Sequence, residues 1–251
     1  MQNLKDKIFF KQDNLYNFPY HYLPQRLSEK VFKPFRVHFW LYDYIFLINF
    51  LIEKIANYKH DKFLDFGCGD GRFIYDFQKK TDKELFGYEI SDKANMFFKA
   101  FNPGSKLIDN VNDLKKFEDF FDVINFSEVI EHIPDEYLKE NIDVIYKVLK
   151  KNGILTVTAP SDNHPVTKKH YRHYNYESLL KNFDNDKFEV LEKKFLFKSN
   201  IFKTIIRKIL FNRYFIINSN IIFRLYYYLS NLFFIGDQKN CGTIFIVFKK
   251  K

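Results

Sequence analysis

One stretch, residues 63–73 (FLDFGCGDGRF), limits what this chain can fold into more than any other. A short apolar run (Phe63, Leu64, Phe66) leads into Gly67, Gly69 and Gly71, and a helical pattern begins near Arg72. Strand, glycine turn and helix N-terminus in that order let backbone approach a nucleotide-like ligand closely, because glycine makes a tight turn without a side chain in the way. Spacing excludes two common ligands. A dinucleotide fingerprint needs glycine where Arg72 stands, and a P-loop needs a Lys-Ser/Thr pair after its glycines. What remains is Asp65-x-Gly67-x-Gly69-x-Gly71, with an acid at the end of the strand.

Around this turn, short apolar runs alternate with helical stretches. Helices are expected over 38–58, 72–80 and 138–151, the last ended by Asn152-Gly153 as a C-cap. Strands are expected over 62–66, 85–90, 106–109, 121–126 and 154–159, with 188–197 and 243–249 as an antiparallel edge hairpin. Such β/α alternation predicts a parallel sheet with helices on both faces. Glu89 lies at the tip of the second strand, twenty residues beyond Gly69. In nucleotide-binding sheets an acid at that place accepts the ribose hydroxyls. Each such bond to a charged acceptor contributes about 1.5–3 kcal/mol, so one carboxylate can hold a ribose.

Taken together and in order, these features resemble the class I S-adenosylmethionine-dependent methyltransferases, whose motif I is D-x-G-x-G-x-G after a strand. S-adenosylmethionine carries no phosphate, so no lysine is needed, and its cationic sulfonium and amino groups favour an acid such as Asp65 or Asp70. Asn110-Val111-Asn112-Asp113-Leu114 is similar to the family's D-A-x-x-L segment, with Asn110 standing where an acid usually holds the adenine amino group. Ser127-Glu128-Val129-Ile130-Glu131-His132 resembles the E-V-[IL]-E-H segment of the small-molecule O-methyltransferases typified by ubiquinone-biosynthesis enzymes. Downstream, His170, Arg172, Tyr174 and Leu179 match the H-x-R-x-[FY]-[ST]-x-x-x-L loop of the same enzymes. The resemblance spans about residues 60–185. It implies a Rossmann-like seven-stranded, mostly parallel sheet with helices on both faces, an antiparallel last strand, and S-adenosylmethionine as cofactor. The cofactor contacts it implies are Asp65, Gly67, Cys68, Gly69, Gly71, Glu89, Ile90, Asn110, Val111 and Ser127.

Methyl transfer from a sulfonium is an in-line displacement, accelerated mainly by holding acceptor and methyl in reacting geometry. A hydroxyl acceptor also gains about 10²–10⁴-fold from a positioned base. The candidate bases are His170, His132 and His173, with His164 a fourth; His170 is the expected base, with His132 in support. Arg172 suits an anionic acceptor, a phosphate or carboxylate. The expected reaction is methylation of a small-molecule hydroxyl, on a sugar, nucleotide sugar, quinone or lipid precursor, with no metal. Two alternatives stand beside it. Glu128, Glu131, His132 and a later histidine have the ligand types for Mg²⁺ or Mn²⁺, as in small-RNA terminal 2′-O-methyltransferases, which this pattern also resembles. A non-catalytic S-adenosylmethionine-binding partner subunit is the third reading.

Composition frames the rest. A net charge of +9 and a pI near 9.2 invite an anionic partner. Cys68 and Cys241 make neither a disulfide framework nor a zinc spacing. No signal-peptide pattern opens the chain, and its longest apolar run, 39–52, is broken by Asp43 and Asn49, so a cytoplasmic protein is expected, monomeric or homodimeric. Residues 1–37, aromatic, basic and punctuated by Pro19, Pro24 and Pro34, are read as an N-terminal extension, a lid over the cleft or a segment packed outside it. Within it His21 and Tyr22 are candidate substrate contacts. Residues 38–251 form the methyltransferase domain, with a helical insertion at about 199–236. That insertion carries Lys203, Arg207, Lys208, Arg213 and Arg224 and no acid. It is expected to extend the core or form a dimer interface, with peripheral membrane contact as the alternative.

Overall fold

The computed structural model describes residues 25–26, 32–33, 39–210 and 219–251. His21, Tyr22 and Arg213 lie outside the described residues, as does most of the N-terminal extension. Seven strands form the main sheet: β1 (Lys62–Phe66), β2 (Glu84–Tyr88), β3 (Lys106–Ile108), β4 (Phe121–Ser127), β5 (Leu149–Pro160), β6 (Phe188–Leu196) and β7 (Thr243–Lys250). Their order is β3-β2-β1-β4-β5-β7-β6. The strands from β3 across to β5 pair in parallel, whereas β7 runs antiparallel to both β5 and β6. Strand order reverses between β1 and β4, and ligands of open α/β sheets bind at the carboxyl edge of such a switch. A separate two-residue ladder pairs Gln25–Arg26 with Phe32–Lys33.

The central strands are apolar on both faces, as strands covered on both sides must be. Phe63, Leu85, Val123, Phe245 and Val247 pack toward α1 (Phe39–Ala56), α2 (Arg72–Phe77) and α3 (Asp92–Phe101). Their sequence neighbours Leu64, Phe86, Ile124 and Ile246 point the other way, toward α4 (Val111–Leu114), α5 (Asp135–Val148) and α6 (Tyr176–Leu180). The period-two alternation therefore splits one sheet's apolar residues into two cores. Two further helices, α7 (Ile201–Leu210) and α8 (Asn220–Leu232), stand between β6 and β7 as the expected insertion. Among the described residues no helix is long and apolar enough to cross a membrane.

One expected boundary is corrected. Helix α5 stops at Val148, where Leu149 is already extended (φ −75°, ψ 133°), and Asn152-Gly153 lies inside β5 rather than at a helix end. Pairing with β4 jumps from Phe121↔Leu149 to Val123↔Ile154, so residues 150–153 stand opposite the single Asp122 and bulge, with Asn152 at φ 62°. An Asn-Gly pair signals a left-handed turn, and a bulge uses the same conformation as a C-cap. Burial of Leu149 beside the sheet decided between them.

At the far end of β7, Lys250 is buried and yet fully used. Its Nζ donates to Asp119 Oδ1 (2.7 Å), Tyr146 O (2.7 Å) and Leu149 O (2.6 Å), tying β7 to the α5–β5 junction. A buried ammonium is tolerable because each proton has an acceptor. Lys250→Met is expected to cost about 1–3 kcal/mol in urea unfolding, since it strands two carbonyls.

Candidate functional site

The glycine turn joins β1 to α2 as the spacing predicted. Gly67, Gly69 and Gly71 all take positive φ (81°, 55° and 82°). At Gly67 a Cβ would lie 2.5 Å from Val129 Cγ2, and at Gly71 one would lie 2.3 Å from Asn102 Nδ2, so neither place accepts a side chain. Gly67 and Cys68 donate their N–H groups to Tyr88 O, at 2.7 and 3.0 Å, which ties the turn to the end of β2. The Cys68 thiol points into the core, against the place where a Gly87 Cβ would sit, so this residue meets the cleft through its backbone.

Two buried acids flank the turn. Asp65, at the end of β1, accepts from Asn125 Nδ2 at 2.8 Å, and Asn125 in turn accepts from Thr156 Oγ1 at 3.0 Å. Burial pushes the Asp65 carboxyl up to about 7, with the Asn125 bond pulling down and the Glu89 charge adding to the rise. Glu89 accepts from Gly69 N (3.0 Å), Ile90 N (2.8 Å) and Ser91 N (2.8 Å). Burial raises its carboxyl, and these three N–H groups oppose the rise. Neither acid has a basic partner among the described residues. Dry carboxyls without cations, set beside a turn free of side chains, suit a ligand that brings its own positive charge and hydroxyl donors. S-adenosylmethionine is such a ligand, and the residues present fit it.

A prediction follows from Asp65. An acid held near 7 when folded and at 3.8 when unfolded binds its proton only in the folded state between those values, so stability falls as pH rises through that window. Asp65→Asn mimics the protonated acid. In the ligand-free protein its melting temperature should match the wild type near pH 4 and exceed it near pH 8. An offset independent of pH would contradict the assignment.

Ile90, exposed beyond Glu89, offers an apolar face at the cleft edge. Asn110 caps α4, its Oδ1 accepting from Asn112 N at 2.8 Å, and Val111 packs partly against the core. Ser127 Oγ shares a 2.6 Å hydrogen bond with Thr158 Oγ1, which also receives Glu128 N at 3.1 Å.

Beyond β4 the chain turns sharply. Glu128 has φ 55°, unusual for a non-glycine residue, and such strain costs about 1–3 kcal/mol. The turn brings Glu128 and Glu131 inward, each with a buried carboxylate oxygen lacking a hydrogen-bond partner (Oε1 and Oε2 respectively). Burial pushes Glu128 up to about 7, against a Thr158 hydroxyl contact. It pushes Glu131 well above the ordinary range, with the Glu128 charge adding to it and Arg172 opposing it.

The predicted histidines meet here. His132 and His170 rings lie 4.8 Å apart, and His170 Nδ1 is 2.7 Å from His173 Nε2. His173 Nδ1 lies 2.8 Å from His164 O, a carbonyl that can only accept, so His173 Nδ1 carries the proton. His173 Nε2 then accepts from His170 Nδ1, which leaves the lone pair of His170 on Nε2. The same logic at Lys169 O (3.2 Å from His132 Nδ1) leaves the lone pair of His132 on Nε2. Side-chain ligand atoms of Glu131, His132 and His170 all lie within 4.8 Å of one another, a set able to hold a metal ion.

Arg172 is committed to the scaffold. Nη1 donates to Ile130 O (3.0 Å) and Tyr174 Oη (3.2 Å), and Nη2 pairs with Asp135 at 2.7 Å. It therefore fastens the histidine loop to the turn after β4 while keeping its charge close to Glu131. Asn125 and Thr158 escaped the sequence reading. The one available signal for Asn125 was a polar residue inside the apolar run FDVINF.

Known proteins resemble this chain in family and fold. A family profile described as a methyltransferase domain matches residues 37–194, more than half of the chain. No curated protein matches the sequence. Among solved structures, a SAM-dependent methyltransferase from Archaeoglobus fulgidus superposes with a TM-score of 0.59 at 16% identity, covering 85% of this chain and 99% of that one. The N-methyltransferase NodS from Bradyrhizobium japonicum, solved with S-adenosyl-L-homocysteine, gives 0.59 at 13% identity, with 97% and 98% covered. The [4+2]-cyclase SpnF gives 0.58 at 15% identity, with 99% and 94% covered. These likenesses speak for the fold. The family match, over a glycine turn flanked by two buried acids, decides the rest: the chain belongs to the methyltransferase-domain family and is an S-adenosylmethionine-dependent methyltransferase.

Proposed function

We propose that the chain methylates a hydroxyl of a small molecule, a sugar or nucleotide sugar or a quinone or lipid precursor, in the manner of the ubiquinone-biosynthesis-like O-methyltransferases. One observation carries this reading: the relay from His170 through His173 to His164 O, which aligns a base and fixes its tautomer. S-adenosylmethionine, when bound, supplies an electrophilic methyl group on its sulfonium. The protein holds the donor through the β1 turn, Asp65 and Glu89, with Asn110, Val111, Ile90 and Ser127 around the adenosyl portion. His170 Nε2 takes the acceptor's proton as its oxygen attacks, and His173 with the His164 carbonyl stabilises the resulting imidazolium. Arg172, held by Ile130 O, Tyr174 and Asp135, fixes the loop in place and is not itself the contact for the acceptor. An amine acceptor would have no use for such a relay, since it needs only to arrive deprotonated.

A screen with methyl-labelled donor across nucleotide sugars, quinone precursors and short RNAs tests this directly. Label is expected in a small-molecule hydroxyl, and label confined to RNA overturns the reading.

A second reading is favoured by the clustering of Glu131, His132 and His170 ligand atoms: a metal-assisted RNA 2′-O-methyltransferase. The burial of unpartnered Glu128 and Glu131 oxygens supports it too. Under the first reading, turnover survives EDTA within about twofold. Loss on EDTA treatment with rescue by Mn²⁺ selects the second.

A further inference from the structure

Helices α7 and α8 are attached to the domain by one side. Tyr226 and Ser230, one turn apart on α8, are buried, Leu210 closes the end of α7, and the Phe46 ring of α1 packs at a tilt against Tyr227 and Phe234, with centroids 5.3 and 4.7 Å away. To that extent the insertion adds to the core. The opposite face is the anomaly. Ile221 (79% exposed), Leu225 (58%), Tyr228 (62%) and Leu232 (59%) recur at the spacing of one helical stripe, pointing away from Tyr226 and Ser230. On α7, Ile201, Phe202 and Ile205 are exposed as well. Compare α5, whose exposed positions Asp135, Glu136, Lys139, Glu140 and Lys147 are all charged. A surface helix ordinarily looks like α5, and a contiguous outward apolar stripe marks an interaction face.

We propose that the outer face of α7 and α8 docks on the surface of an anionic phospholipid bilayer, lying in the headgroup region. Charge selects this occupant. The insertion, residues 199–236, carries five basic residues (Lys203, Arg207, Lys208, Arg213, Arg224) and no acid, and Lys208 and Arg224 are exposed. Aliphatic and aromatic residues mixed with cations are the composition that settles at an anionic membrane interface. A second copy of this chain is a poor match, because a two-fold contact would bring two acid-free basic faces together. RNA is a poor match too, since Ile and Leu side chains offer phosphates and bases nothing. With 10 and 13 residues, the helices are too short to span a bilayer, so they lie on it.

Vesicle flotation of the full chain tests the proposal, using phosphatidylcholine with and without phosphatidylglycerol. The protein is expected to float with the anionic vesicles and to be released by high salt. Leu225→Glu and Tyr228→Glu should each weaken partition about tenfold or more. Lys208→Gln with Arg224→Gln should abolish the preference for phosphatidylglycerol. S-adenosylhomocysteine binding, measured on every variant, should be unchanged and shows that the domain is intact. Absence of flotation with either vesicle, or flotation indifferent to these substitutions, overturns the proposal. So does a dimer seen by light scattering that Leu225→Glu breaks while vesicles have no effect, or binding to a short RNA in place of vesicles.

Discussion

Glu89→Ala is expected to weaken S-adenosylhomocysteine binding about a hundredfold or more. The reason lies in what this carboxylate does twice over. Within the protein it accepts three backbone N–H bonds, from Gly69, Ile90 and Ser91, so it joins the glycine turn to the start of α3. Toward the donor its proposed role is to accept the ribose hydroxyls, in two charge-assisted bonds of about 1.5–3 kcal/mol each. Every 1.4 kcal/mol is about tenfold in affinity, so even the lower figures give two orders of magnitude. Glu89→Gln separates the duties. Its amide keeps the shape but sets an NH₂ against backbone N–H donors, so it should fall between wild type and alanine. Isothermal calorimetry reads both variants, and a thermal melt shows whether each is folded. Alanine affinity within about threefold of wild type would remove Glu89 from the ribose.

His170→Ala carries the second large effect, a loss of about 10²–10⁴ in kcat with little change in KM for the donor. This variant removes the lone pair on Nε2 but touches neither the glycine turn nor Glu89. His173→Ala should cost less, because it leaves the proposed base, His170, in place and removes only the partner of its Nδ1. The distinguishing measurement uses two acceptors, an alcohol and a more acidic phenol. A phenol needs less help losing its proton, so the His170→Ala deficit should shrink with it. If His170→Ala raises only the acceptor KM, the side chain is a contact and not a base.

How much of this was legible beforehand differs from part to part. The stretch from Phe63 to Phe73 was readable because each of its rules is local: an apolar strand, glycines at positive φ, a helix start. Glu89 was readable because a βαβ unit sets the distance from the turn to the next strand tip. Asn152-Gly153 was misplaced since a helix cap and a strand bulge use the same residues, and only pairing with Phe121 and Val123 tells them apart. Arg172 was readable as a cation but not as a brace, because its partners Ile130, Asp135 and Tyr174 come from the turn after β4, the start of α5 and its own loop.

The sequence by itself determined the parallel β/α frame, the donor turn and the acid at the second strand tip, because chain geometry over about twenty residues leaves few other outcomes. Only the tertiary structure decided that His132 meets His170, that Glu131 is buried beside a half-buried Glu128, and that the stripe on α8 faces outward. Those depend on which surfaces close over which, and burial is a property of the whole packed molecule that no local stretch of residues carries.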